Sequence, residues 1–173
     1  MTRASARPTD DTHDGAGAGA GLCSPPMSED FAAMINAGKG GYNELLGLEI
    51  VRATVDEVVA RLEVGPRHHQ PYGVVHGGVY ASMIETVASV GAALNVMPEG
   101  RHTVGLENST TFLRATREGH LTATAPPLAR GRRSHVWEVA VTDDGGRLVA
   151  KGRVRLLCLE GDAQLAGESV RFR

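Results

Sequence analysis

The sequence predicts an α+β domain in which an antiparallel sheet wraps around one long central helix. Three observations predict it. Residues 76–94, beginning His76-Gly77-Gly78, form a long apolar run that reads as a helix hydrophobic on nearly every side, and such a helix is buried. Six segments around it read as strands, of which residues 56–64 and 147–159 place apolar side chains at every second position, so that one face is buried and the other wet. Finally, one carboxylate, Glu85, stands in the middle of the apolar run. A buried acid is costly unless it is hydrogen-bonded or has a chemical task.

The elements follow in order. Residues 1–27 contain the run Gly15-Ala16-Gly17-Ala18-Gly19-Ala20-Gly21 and almost no large apolar side chain. They cannot bury enough surface to offset their ordering entropy and are expected to be a flexible tail. Ser28 is expected to cap a short helix through Gly38, with Glu29 and Asp30 in its first turn. Gly38, Gly40 and Gly41 end it, and strands follow at about 45–54 and 56–64; Val58, Ala60, Leu62 and Val64 share the buried face of the second. Residues 65–76, with two prolines and two glycines, form an ordered loop that feeds the long helix. After a turn at Pro98-Glu99-Gly100, four strands are expected at about 102–114, 119–129, 133–143 and 147–159. Asp144-Gly145-Gly146 between the last two is a hairpin signal. The domain is expected to span 28–160, with 161–173 a C-terminal tail. Tyr80, Met83 and Trp137 are expected in the core or pocket wall.

Composition narrows the function. Of 173 residues, 42% are hydrophobic, and 18 Lys and Arg face 20 Asp and Glu for a net charge of −2, without a basic run that would suit nucleic acid. Cys23 and Cys158 lie far apart in sequence, which argues against a disulfide framework and for a reducing compartment. Neither a signal peptide nor a membrane span is expected, since Glu85 and the glycines at 77, 78 and 91 interrupt the apolar run; the expected location is cytoplasmic. His68, His69 and His76 match no common metal spacing, so no metal is expected.

Several residues together carry a resemblance. These are Gln70, Gly73, His76-Gly77-Gly78, Glu85 nine residues after the histidine, and Ser89 one turn later, followed by Asn108-Ser109-Thr110-Thr111-Phe112-Leu113-Arg114, Gly131-Arg132 and Gly146-Arg147-Leu148-Val149-Ala150. From about Phe31 to Leu159 the chain resembles hotdog-fold acyl-CoA thioesterases, the phenylacetate-pathway type and the hydroxybenzoyl-CoA type with a helical glutamate. The resemblance implies hydrolysis of an acyl-CoA by a homodimer, further paired into a homotetramer, with coenzyme A present only as part of the substrate and no other cofactor.

Thioester hydrolysis needs donors aimed at the carbonyl oxygen and a group that attacks the carbonyl or activates water. Gly77 and Gly78 open the helix, where backbone N–H groups have no internal partner, and the Gly77 N–H is the candidate oxyanion donor. Glu85 is the candidate nucleophile or general base. Gly77 and Glu85 are about 12 Å apart along one helix at ~1.5 Å per residue, yet both must lie within about 3 Å of one carbonyl. A single copy of the helix cannot supply both, so a two-fold dimer is expected to share the site. Ser89 stands on the face of Glu85 and can hold the carboxylate or the water. Gln70 and His76 can contact the thioester or order the loop. Gly78, Arg114, Arg132, Arg133 and Ser134 are the expected contacts to substrate and coenzyme A, the arginines because a guanidinium matches phosphate geometry. A module that binds acyl-CoA without turnover and an enoyl-CoA hydratase are the alternatives.

Overall fold

The computed structural model describes residues 29–170. The tail expected over 1–27, the Ser28 cap and residues 171–173 lie outside the described residues. Helix α1 (Ala32–Ala37) is tied down by Asp30, whose Oδ1 accepts from Ala53 N at 2.9 Å and from Ala32 N at 3.0 Å. These donors hold the Asp30 carboxyl below the usual carboxylate range. Glycines do end α1, but a second helix, α2 (Gly41–Leu46), then forms where a strand start is expected. It stops at Gly47, whose φ of 74° lets its N–H turn back onto Asn43 and Glu44. Strand β1 therefore runs Leu48–Ala53 and pairs with β2 (Val58–Glu63).

Helix α3 (Gly77–Val96) follows the ordered loop, and then come β3 (His102–Phe112), β4 (His120–Ala125), β5 (Pro127–Arg130), β6 (Ser134–Asp143) and β7 (Leu148–Leu159). The expected strand at 119–129 is two strands. Prolines at 126 and 127 have no N–H to give a ladder, and the break falls there: β4 pairs β2 and β6, whereas β5 pairs only β6. The C-terminal segment expected as a tail contains a small hairpin, β8 (Gln164–Leu165) with β9 (Glu168–Ser169), turned by Ala166 and Gly167 at φ 51° and 82°. Among the described residues the main sheet is antiparallel, in the order β1-β2-β4-β6-β7-β3 with β5 alongside β6.

The sheet curls over α3. Met83, Ile84, Val87 and Ala92 of the helix are fully buried against Leu121, Trp137, Val139, Val154 and Leu156 of the sheet, and Tyr80 is 3% exposed. Close approach depends on two glycines. A Cβ at Gly91 would lie 2.5 Å from the Trp137 ring, and one at Gly152 would lie 2.9 Å from Ile84 Cγ2. Alternation in β2 and β7 is as expected, with Val58, Ala60, Leu62, Ala150, Val154 and Leu156 all inward. Helix α3 is long and apolar enough to cross a membrane by length and composition, but it is the core helix of this sheet. It is not buried on every side, however. Gly78, Ala81, Ser82, Glu85, Thr86 and Ser89 form a partly exposed stripe; small residues raise the mean hydropathy of a helix without requiring burial. Among the described residues, strand β3 borders that stripe as an edge of the sheet, paired with β7 alone, and residues 106–109 on it are exposed.

Two outcomes are expected. Gly91→Val drives a branched side chain into Trp137 at a cost of about 2–3 kcal/mol, against at most about 1 kcal/mol returned by removing a mid-helix glycine. Urea unfolding should show a net loss, and unchanged stability would refute the close packing. The second concerns His135, 5% exposed, whose Nδ1 has no hydrogen-bond partner among the described residues. Burial, then Arg130 and Arg101, lower its pKa below the ordinary value. The folded state keeps His135 neutral while the unfolded chain takes up a proton below about pH 6.5. Stability from this source is complete above that pH and is lost as pH falls through it. His135→Phe should flatten the loss of unfolding free energy between pH 7.5 and 5.5.

Candidate active site

The loop into α3 is fixed by backbone and imidazole together. His68 is buried; its Nδ1 accepts from Gly65 N at 2.9 Å, and its Nε2 lies 2.9 Å from the Leu46 carbonyl. Gln70 N donates to Val74 O, and Gly73, at φ 68°, closes the turn by donating to Gln70 O, each at 2.9 Å. His76 N donates to His68 O at 2.8 Å. Its side chain then caps α3: Nδ1 accepts from Gly78 N at 2.9 Å, which places the ring proton on Nε2.

This cap decides which helix-terminal donor is open. His76 Nδ1 takes the Gly78 N–H and the His76 carbonyl takes the Val79 N–H. Among the described residues no acceptor takes the Gly77 N–H. Gly77 lines a groove of about 330 Å³ with Gln70, Tyr80, Phe112, Leu113 and Arg114. A Cβ at Gly77 would sit 2.9 Å from Phe112 Cζ, so only glycine leaves the floor of this groove flat. Tyr80 and Phe112 make a tilted pair at 6.1 Å. Burial pushes the Tyr80 phenol up, so it stays protonated near neutral pH.

Glu85 belongs to a second cluster, two turns along α3. Asn108 Nδ2 donates to its Oε2 at 2.9 Å, and Ser89 Oγ donates to its Oε1 at 3.3 Å. Thr110 Oγ1 donates to Asn108 Oδ1 at 2.7 Å, which orients the amide so that its NH2 faces Glu85 and the Ala81 carbonyl. The carboxylate lies over Gly105, where a Cβ would be 2.5 Å from Oε1, and the ladder of β3 is irregular between Gly105 and Glu107. Bulges of this kind re-aim side chains near active sites. A carboxylate held at both oxygens can take a proton from water or attack a carbonyl without first finding its orientation.

The predicted residues therefore fall into separate groups. Gln70, Gly77 and Arg114 share the groove, with His76 and Gly78 forming the cap beside it; Glu85 and Ser89 share the carboxylate cluster. Arg114 Nη1 donates to the Leu148 carbonyl. Arg132, Arg133 and Ser134 sit elsewhere. The Arg132 carbonyl accepts from Arg101, the Arg133 carbonyl accepts from Cys158 N, and Ser134 pairs with Leu157, eight residues along β7 from the Val149 that Leu113 and Arg114 bind. At ~3.4 Å per strand residue that is about 27 Å from the groove within one chain. Asn108, Thr110 and Gly105 gather at Glu85 and are not among the predicted site residues, although Asn108 and Thr110 lie in a segment that carries the resemblance. The available signal is that Asn108 and Thr110, two apart in a strand, share one face.

With the geometry in hand, comparison with known proteins is consistent with it. A family model described as the thioesterase superfamily matches residues 72–150. The esterase-family protein Rv1847 of Mycobacterium tuberculosis is 46% identical over 121 residues, 69% of this chain and 86% of the relative. Its solved structure superposes with a TM-score of 0.68 at 44% identity over 72% of this chain and 98% of that one. A 1,4-dihydroxy-2-naphthoyl-CoA hydrolase of Listeria monocytogenes is 37% identical over 113 residues, 65% of this chain and 91% of the relative. A thioesterase variant from Pseudomonas aeruginosa superposes with a TM-score of 0.71 at 29% identity, over 74% of this chain and 93% of that one. The chain belongs to the thioesterase superfamily, and its fold is the hotdog fold. It is a thioester hydrolase.

The cap yields a prediction that separates the two roles of His76. Replacing it with alanine should cost about 1 kcal/mol through the lost N-cap, read by thermal or urea unfolding. His76→Asn, a good N-cap residue, should restore both stability and thioester hydrolysis. Restored stability with activity still absent would mean that the imidazole itself takes part in the chemistry.

Proposed function

We propose that this protein hydrolyses acyl-CoA thioesters to the free acid and coenzyme A, at a site built from two copies of the chain. The observation that carries the reading is the separation of two half-sites on one rigid helix. The Gly77 N–H, open above a groove, can receive a carbonyl oxygen as it becomes negative. Glu85, held by Asn108 and Ser89, can supply the base or nucleophile. Eight helical residues separate them by about 12 Å, so neither serves the other's carbonyl within one chain. The open edge of β3 and the partly exposed stripe of α3 lie beside Glu85 and supply a surface on which a second copy can bring its own Gly77 to that carboxylate.

On this reading the thioester carbonyl points its oxygen at Gly77 N–H of one subunit and its carbon at Glu85 of the other. Glu85 takes a proton from water as the water oxygen bonds to the carbonyl carbon. The tetrahedral adduct then collapses, the C–S bond breaks, and the thiolate leaves and is protonated. Direct attack by the carboxylate would instead give an acyl-enzyme anhydride that water opens, with the same products. Gln70 in the groove flanks the carbonyl. Arg114 stands at the groove rim for the phosphates of coenzyme A. Arg132, Arg133 and Ser134, remote within one chain, can act only toward a site to which the second copy contributes. The likeness to a hydrolase of a CoA thioester supports coenzyme A as the carrier.

Thiol release from a panel of acyl-CoAs tests the activity, and following enoyl absorbance in the same assay separates hydrolysis from hydration or from binding without turnover. Glu85→Gln should lower kcat by about 10²–10⁴-fold; full activity would sink the mechanism. Glu85→Gln and Gly77→Val chains, each inactive, should recover part of the activity when unfolded together and refolded, because a mixed dimer holds one intact site. No recovery in heterodimers verified by mass would refute the shared site.

A further inference from the structure

Helix α2 has more exposed apolar surface than its place in the fold requires. Leu46 is buried and anchors it, yet Tyr42 is 62% exposed and Leu45 75%. These two are three residues apart in a helical turn, so they stand side by side. The segment is bounded by glycines in the left-handed region, Gly41 at φ 56° and Gly47 at φ 74°. Two side-chain bonds hold it to α3: Thr86 Oγ1 donates to Asn43 Oδ1 at 3.1 Å, and the Tyr42 hydroxyl lies 2.8 Å from Ser82 Oγ. Ser82 already donates to the Gly78 carbonyl at 2.7 Å, so Tyr42 is the donor of the second bond.

That bond brings the ring close to Glu85. Ser82 precedes Glu85 by three residues, a spacing that sets their Cβ atoms about 5–6 Å apart on one helix face. Glu85 is thus flanked on both sides. On the β3 side stand Asn108 and Thr110, both polar and both committed to hydrogen bonds. Behind it, the helix face that meets the sheet is filled by Met83, Ile84 and Val87. Among the described residues the uncovered apolar side chains beside Glu85 are Tyr42 and Leu45 of α2 and Leu106 of β3, and Leu106 lies on the edge assigned above to the second copy. A thioester whose carbonyl carbon is within reach of Glu85 must lay its acyl group against one flank or the other, and an apolar acyl group loses less on the apolar flank.

Resting on the reading of Glu85 as the reacting acid, we propose that Tyr42, with Leu45 beside it, is the acyl-specificity wall of the site and selects an apolar acyl group of medium-chain or aryl size over a short one. Tyr42 contacts the substrate through its ring, which α2 holds beside the carboxylate through buried Leu46 and the Asn43–Thr86 bond, with the hydroxyl bond to Ser82 adding to that hold. The groove at Gln70, Gly77 and Arg114 is left for the part of the substrate that bears the thiol.

The experiment measures kcat/KM of the full-length protein for hexanoyl-CoA, benzoyl-CoA and acetyl-CoA. Tyr42→Ala should lower the hexanoyl-to-acetyl and benzoyl-to-acetyl ratios about tenfold, mainly through KM, as expected for an apolar contact of a few methylenes. Tyr42→Phe, which keeps the ring and loses the Ser82 bond, should hold both ratios within about twofold of wild type, on the same grounds. Leu45→Ala, which removes an exposed side chain with no bond to the fold, should lower them about threefold and gives a second reading if Tyr42→Ala folds poorly. Ratios unchanged in Tyr42→Ala and Leu45→Ala, an equal loss on all three substrates, or a loss in Tyr42→Phe as large as in Tyr42→Ala would overturn the proposal. Full hydrolysis by Glu85→Gln would instead overturn the reading on which it rests, and the ratios would be unaffected by that result.

Discussion

The closeness of α3 to the sheet is the constraint on which the rest of the molecule depends. Gly91 lets the Trp137 ring come against the helix, and Gly152 leaves the room that Ile84 occupies. The same approach places Glu85 directly on β3, over Gly105, where any side chain would collide with the carboxylate. Without that contact Asn108 could not reach Glu85, and the acid would be a solvated charge with no fixed direction. Three glycines on three elements thus convert the core packing into a defined position for one carboxylate.

The rigidity of the helix imposes the next constraint. A straight helix cannot bend Glu85 back toward Gly77, so within one chain the two groups face separate spaces. Two features beside Glu85 are left open. Strand β3 is an uncovered edge, a feature that folded proteins usually protect, and the stripe of α3 beside it is small and polar rather than greasy. Capping works in the same direction. By consuming the Gly78 N–H, His76 singles out Gly77 as the donor that remains available. An N-cap and an open backbone donor are thus two consequences of one helix terminus.

Much of this was legible from residue patterns because the relevant signals are local. Alternation in Val58-Val59-Ala60-Arg61-Leu62 and in the last long strand gives inward faces that the structure repeats. The start of α3 at Gly77 and the turn at Asp144-Gly145-Gly146 are equally local. Helix α2 was not legible, since Tyr42-Asn43-Glu44-Leu45-Leu46 carries no strong period and sits between glycines that read as breakers; its C-terminal stop needs Gly47 in a left-handed conformation that composition does not announce. The division of residues 119–129 into two strands turns on Pro126 and Pro127, which act through a missing N–H in a ladder whose partner strand lies elsewhere in the chain.

The sequence by itself determined the periodicity of the elements, the single acid within an apolar helix, and the glycine pair that opens that helix. It also determined that Gly77 and Glu85 cannot meet in one chain, because that follows from helix rise alone. Tertiary structure decided the partners. Asn108 on Glu85, Tyr42 on Ser82 and Thr86 on Asn43 join residues whose separation along the chain ranges from 23 to 43. Strand register and helix docking choose such pairs. Each depends on where the whole core lets two backbones stop, which no single segment encodes.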